Sequence, residues 1–313
     1  MGVYRAGSLA VQDQAGVRDR ADHVGRSLGR TIKPVAAAFL EQQPLLIVGA
    51  ADPRTGRVWV EALTGDPGFV RATGPHRITV DTAHRSGSRL RDHTGGTRGP
   101  ADGAGARGGI THPAGGPTAV GTIALDPRTR RRMRLNGHLR PTATGFTVDA
   151  EQVFANCPKY IQRRESYETV DRTPGTPRHL TRLGTGEADL IGAADTFFLG
   201  TVHRTGADAS HRGGSPGFVR VASPHELTWP DYSGNAMFLS LGNLHADPRA
   251  GLLFLDWETG STLQLTGEAR TESGRDGTRT VRFTLAEAWW TPAALPLRWS
   301  APEYSPADPE PGR

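Results

Sequence analysis

Apolar side chains along this chain come in short runs broken by Gly, Pro and Asp, a spacing that predicts strands joined by tight turns. One set of runs covers residues 45–48, 58–62, 69–72, 77–80, 122–126 and 133–139. A second covers 197–202, 218–222, 226–229, 252–256, 263–270 and 281–284. Two stretches carry helical spacing instead. Ala150, Val153, Phe154, Cys157, Tyr160 and Ile161 fall on one face of a 3.6-residue period, with Asp149 placed to cap it and Pro158 to kink it. Met237, Leu241 and Leu244 predict a short helix closed by Asn243 and the Asp247-Pro248 pair.

The two strand sets repeat each other. Residues 65–80 (GDPGFVRATGPHRITV) align without a gap on 214–229 (GSPGFVRVASPHELTW). The pairs Gly65/Gly214, Pro67/Pro216, Gly68/Gly217, Phe69/Phe218, Val70/Val219, Arg71/Arg220, Pro75/Pro224, His76/His225 and Thr79/Thr228 are identical. Residues 120–140 align on 250–270 through Gly121/Gly251, Leu125/Leu255, Asp126/Asp256, Thr129/Thr259, Leu135/Leu265, Gly137/Gly267 and Arg140/Arg270. Six short strands per copy, in the same order twice, predict a duplicated small barrel. The organisation expected is an N-terminal barrel over 1–148, a linker helix over 149–172 and a C-terminal barrel over 173–313. The fold class is mainly β with peripheral helices (α+β).

The copies diverge between their fourth and fifth strands. The first carries 84–118, with ten Gly and almost no large apolar residue, a composition that predicts a flexible loop. The second carries PDYSGN (230–235) leading into the short helix. This turn offers Ser233, Asn235 and free N–H groups at a helix N-terminus, where phosphate binds well. One ligand site per chain is therefore expected, in the second copy.

Composition removes several function classes. No run of 18 apolar residues exists, and the first thirty residues lack the apolar core of a signal peptide, so a cytoplasmic protein without membrane contact is expected. The single cysteine, Cys157, excludes an internal disulfide and a Cys-rich zinc site, and no metal site is expected. Its place on the apolar helical stripe predicts a buried, inert thiol. The net charge of +5 comes from 35 Arg and two Lys against 32 acidic residues. The run Arg128, Arg130, Arg131, Arg132 and Arg134 reads as a solvated hairpin face, since no aromatics interleave to stack bases, and nucleic acid is not an expected partner. Trp289, Trp290 and Trp299 read as core or interface packing. No GxGxxG opens a helix after a strand, and no HExxH occurs.

ADTFFLGTVHRTGADASHRGGSPGFVRV (194–221), PDYSGNAMFLSLGNL (230–244) and GLLFLDWETGSTLQLTGEAR (251–270) together resemble the pyridoxamine 5'-phosphate oxidase-like, FMN-binding split-barrel family, in its large tandem form. The resemblance covers nearly the whole chain apart from 84–118. It implies two tandem split β-barrels pairing within the chain, with a homodimer also open, and FMN held where two barrels meet. The implied cofactor contacts are Ser210, His211 and Arg212, then Arg220 on the next strand, and Ser233, Asn235 and Asn243 around the turn. Ala236 stands where such proteins often carry a second Asn, and only Arg298-Trp299 answers to the substrate-phosphate set of authentic pyridoxamine phosphate oxidases. The implied activity is an FMN-dependent oxidoreductase acting on a small molecule or electron donor, with no catalytic residue assigned. The alternative is a non-catalytic binding or sensor protein holding flavin, deazaflavin or haem.

Overall fold

In the computed structural model, which describes residues 3–82, 117–274 and 277–309, the chain builds two large antiparallel sheets. Three helices open it: α1 (Ala6–Gln14), α2 (Arg18–Gly25) and α3 (Pro34–Glu41). The first sheet comprises β1 (Leu45–Ala51), β2 (Val58–Thr64), β3 (Val70–Gly74), β4 (Arg77–Asp81), β5 (Thr118–Asp126), β6 (Arg131–Thr142) and β7 (Gly145–Ala155), in the order β2-β1-β5-β6-β7-β4-β3. Short strands β8 (Arg163–Arg164), β9 (Tyr167–Thr169) and β10 (Arg178–Leu180) and helix α4 (Thr185–Ala193) lead to the second sheet. That sheet comprises β11 (Thr196–His203), β12 (Gly206–Gly213), β13 (Arg220–Ser223), β14 (Glu226–Pro230), β15 (Arg249–Leu255), β16 (Thr262–Ser273) and β17 (Arg279–Thr291), with α5 (Leu239–Ala246) between β14 and β15 and with β10 added alongside β17 as an eighth strand. Its order is β12-β11-β15-β16-β17-β14-β13, the first sheet's order step for step. The tail returns as β18 (Leu297–Trp299) on β9 and β19 (Pro302–Glu303) on β8.

Register matches as well as order. Gly49 faces Gly121 across β1 and β5, and Gly200 faces Gly251 across β11 and β15. Both long hairpins carry a bulge at the same place, between Asn136 and Gly137 on β6 and between Thr266 and Gly267 on β16. In the first sheet all seven strands send side chains into one apolar cluster, so the sheet must curl around it, leaving β2 and β3 as unjoined ends: a split barrel. The second sheet encloses its own cluster around Phe197, Leu227, Trp229, Phe254 and Phe283.

A third cluster lies between the sheets. Leu46 and Val48 point into the first barrel, while Leu45 and Ile47 point outward to meet Phe198, Ala209 and Leu253 of the second. Strand β1 is therefore apolar along nearly its whole length because it is buried on both faces.

The expected linker helix is not formed. Residues 145–155 are strand β7, paired with β6 and β4, so the first barrel runs past the expected boundary at 148. The bulge explains the misleading pattern: pairing steps from Gly137↔Ala150 to Asn136↔Gln152, leaving Glu151 unpaired. The inward alternation Phe146, Val148, Ala150 then resumes at Val153 instead of 152. Phe154, on the other face, is buried under α1 and α2. Residues 150, 153 and 154 thus mimic a helical i, i+3, i+4 stripe. The Gly-rich 84–118 segment falls, apart from its last two residues, outside the described residues. The described helices include none long and apolar enough to cross a membrane.

Candidate functional site

Strand β6 alternates. Met133 and Leu135 enter the first barrel's core, so Arg132, Arg134 and Asn136 project the other way, toward β12 of the second barrel. Where β6, the segment after β7, β12 and the 230–241 turn converge there is a cavity of about 120 Å³. Its lining brings Arg132, Arg134, Cys157 and Tyr160 together with Ser210, His211, Arg212, Asp231, Asn235 and Ser240. Both halves of the chain supply its walls.

Its floor is a buried polar network around Asp208. The carboxylate is ion-paired with Arg134, accepts from Asn136 Nδ2 at 2.9 Å and from Ser240 Oγ at 2.6 Å. Ser240 Oγ lies 3.0 Å from Ser210 Oγ. On the far wall, Asp231 accepts from Arg212 Nη1 at 2.9 Å and from Arg279 Nε at 3.1 Å. Three guanidiniums thus share two carboxylates, and Arg132 beside them gives the corner surplus positive charge. Arg132 has no carboxylate: its Nη1 donates to His211 Nδ1 at 2.7 Å and its Nη2 to the Cys157 carbonyl at 2.9 Å. Burial brings the Arg132 pKa down to about 10, with Arg134 and Arg212 pushing the same way, so it stays cationic at neutral pH. Burial also lowers the Arg134 pKa, against the pull of Asp208. His211 is held well below its ordinary pKa by burial first, then by Arg132 and Arg212.

Several donors in this corner have nothing to donate to. Nε of Arg132, Arg134 and Arg212 and Nε2 of His211 are buried without a hydrogen-bond partner. An oxyanion is the chemistry that answers such a set, since it accepts several charge-assisted bonds and balances the charge. At the rim the Tyr160 and Tyr232 rings meet with centroids 5.1 Å apart, and Tyr160 Oη donates to the Ser233 carbonyl at 3.1 Å.

Of the residues expected from sequence, Ser210, His211, Arg212 and Asn235 line the cavity. Asn235 Oδ1 also accepts from the Met237 N–H at 3.1 Å, bracing the turn. Ser233 is exposed and joins only through its carbonyl. Two residues do not belong: Arg220 is exposed on β13, an outer strand of its sheet, and Asn243 turns inward to donate to Thr201 Oγ1 at 3.0 Å.

The arginine run is not a solvated face either. Arg134 is buried, Arg128 pairs with Asp126 and Arg130 with Glu303; Arg131 alone of the five is exposed. Cys157 lies in coil beyond β7, half-buried against the cavity, not on an apolar helical stripe. Sequence reasoning missed Arg132, Arg134, Asp208, Ser240 and Tyr160.

The mirror-related corner lacks this chemistry. By the shared register, Thr262 and Gln264 stand for Arg132 and Arg134, and Glu61, Ala62 and Leu63 for Ser210, His211 and Arg212. Gln264 spends its amide on the Val60 carbonyl at 2.8 Å. Among the described residues, no group of His, Cys, Asp and Glu could hold a metal ion.

No family model matches the sequence, and no curated protein matches it. Solved structures similar to this chain include a Lactobacillus delbrueckii protein assigned as a pyridoxamine 5'-phosphate oxidase, with 11% identity and TM-score 0.30, over 34% of this chain and 93% of that one. An FAD-binding protein from Mycobacterium smegmatis has 14% identity and TM-score 0.26, over 36% of this chain and 98% of its own. HupZ of Group A Streptococcus has 12% identity and TM-score 0.27, over 33% of this chain and 89% of its own.

Proposed function

We propose that this chain is an FMN-binding flavoprotein of the pyridoxamine 5'-phosphate oxidase-like kind, built from two fused copies of a split barrel. It holds one flavin per chain in the corner between β6 and β12 and acts as an oxidoreductase on a small molecule. The observation that carries this reading is the cluster of partnerless donors from Arg132, Arg134, His211 and Arg212 in one cationic cavity. A volume of about 120 Å³ is below the roughly 300 Å³ at which pockets for drug-sized ligands begin, so the cavity takes the anionic end of the cofactor and not the whole of it. Bound FMN would supply hydride or electron transfer, and the protein would supply orientation and electrostatics. Arg132 and Arg212 would hold the phosphate, Arg134 being committed to Asp208, while Ser210 and Asn235 offer neutral contacts beside it.

Titration of FMN with the purified protein, followed by quenching of flavin fluorescence, tests this. Arg212→Ala leaves Asp231 paired with Arg279, so the fold keeps its ion pair while the cavity loses a donor. A charge-assisted bond of about 1.5–3 kcal/mol corresponds to roughly 10- to 100-fold weaker binding in that variant. A protein that leaves flavin fluorescence unchanged, or that purifies with a Soret band, would overturn the proposal.

A further inference from the structure

Among the described residues His211 is the one imidazole lining the cavity, and its two ring nitrogens are in unlike situations. A guanidinium can only donate, so the contact from Arg132 Nη1 at 2.7 Å requires a lone pair on Nδ1. The ring proton must then sit on Nε2. That atom is buried without a partner, on a side chain only 7% exposed. We infer that His211 is a fixed-tautomer, uncharged hydrogen-bond donor whose Nε2–H is completed by an acceptor atom of the bound molecule. This rests on the cavity being a ligand site, as proposed above. The class it selects is a molecule presenting an oxyanion or carbonyl oxygen, or a pyridine-type nitrogen, at that point. A cation or an N–H group there would face a donor and be rejected.

The surroundings keep the ring in this state. Arg132 and Arg134 reach in from β6, Arg212 flanks it on its own strand, and Cys157 and Tyr160 approach from the segment after β7. Asp231 and Tyr232 face it from the turn, with Asp231 committed to Arg212 and Arg279; Asp208, two strand positions before Ser210, is committed to Arg134. Burial first, and then the Arg132 and Arg212 charges that crowd the ring, keep a second proton off it. Phe198 closes the other side, edge to face with the imidazole at 6.0 Å between centroids. His211 is therefore a contact residue whose hydrogen-bonding pattern does not change across physiological pH.

The test reads the ring directly. Nitrogen-15 NMR of the protein labelled at histidine, free of ligand, with the His211 signals assigned by their loss in His211→Phe, should show that ring protonated at Nε2, bare at Nδ1 and not titrating between about pH 5.5 and 8. His203, which also stays neutral there, is told apart by the same assignment. An Nδ1–H tautomer, or a titration in that interval, overturns the inference. Inorganic phosphate and FMN are then added separately, and either should shift the Nε2–H signal; if neither moves it, the inference fails. If phosphate shifts it while FMN does not bind, the flavin reading falls and the assignment of His211 stands. Two variants separate the donor from the ring's bulk. His211→Gln, which can still accept from Arg132 and donate onward, should keep ligand affinity within about threefold, whereas His211→Phe, which keeps the ring and loses the donor, should weaken it about tenfold or more. Equal loss in both variants, or none in His211→Phe, would remove His211 from ligand contact.

Discussion

Asp208 shows how far the cavity depends on single side chains. Its carboxylate is 2% exposed and receives Arg134, Asn136 and Ser240. Removing one partner of such a pair strands a charge in the interior, whereas replacing both leaves apolar packing. Asp208→Ala should therefore cost about 3–5 kcal/mol, and the double variant Asp208→Leu with Arg134→Met should cost less than that single change. Urea unfolding of the wild type and the two variants measures this; a double variant as destabilised as Asp208→Ala, or more so, would show that a stranded Arg134 charge is not the source of the loss. None of this pairing was visible in the sequence. Arg132 and Arg134 stand in a run of arginines whose composition suggests a wet surface, and only the register of β6 shows that alternate members turn toward β12. Ser210, His211 and Arg212 entered through the family resemblance of 194–221, helped by the absence of a similar His-Arg pair in the first copy, and they line the cavity. Arg220, which Arg71 repeats in the first copy, lies exposed on β13 away from the cavity.

At the scale of elements, most strands of both barrels were readable from apolar runs and turn residues, though their order in the sheets was not, and the main error came from a bulge that disguised β7 as a helix. Strand β12 was passed over because GADASHRG carries no large apolar side chain; it is a strand dressed for the cavity. Helices α1 and α2 were also passed over, and they bear on the site. Although they open the chain, they pack on the second copy's turn: Tyr4 and Ala21 join Ala236, Met237 and Leu239 in one apolar cluster. Gln12, fully buried, donates to the Met237 carbonyl at 3.0 Å, and Arg20 to the Gly234 carbonyl at 2.9 Å. The turn needs such bracing, because Ala236 (φ 62°) and Phe238 (φ 51°) both occupy the left-handed region at about 1–3 kcal/mol each. Gln12→Ala should accordingly speed amide hydrogen exchange across 232–240 in the ligand-free protein while the strands of both barrels stay protected. Exchange unchanged in that segment would mean that the turn holds itself.

At the scale of the molecule, the cavity exists because two barrels meet closely enough for β6 to reach β12, and two glycines set that distance. A Cβ on Gly121 of β5 would lie 2.2 Å from the Ala209 nitrogen of β12, and one on Gly251 of β15 would lie 2.6 Å from the Val58 carbonyl oxygen of β2. The two contacts are mirror images of each other under the shared strand order, so the barrels press together at matched points on either side of the interface. Both obstacles are backbone, which cannot swing aside, so Gly121→Ala must separate the sheets or bend one of them. Overpacking of this kind costs about 1–3 kcal/mol, sometimes more. Gly49 supplies the contrast: its Cβ would meet nothing nearer than the Gly200 Cα at 3.4 Å, an ordinary contact, and Gly49→Ala should cost less than about 1 kcal/mol. The proposed flavin site depends on the same spacing, since Arg132 and Arg134 ride on one barrel and His211 and Arg212 on the other. Gly121→Ala should weaken FMN binding as well as stability, and Gly49→Ala should change neither appreciably. Thermal unfolding and flavin titration of the two variants would decide the matter: equal behaviour would mean that the barrels tolerate separation and that the cavity does not depend on how closely they meet.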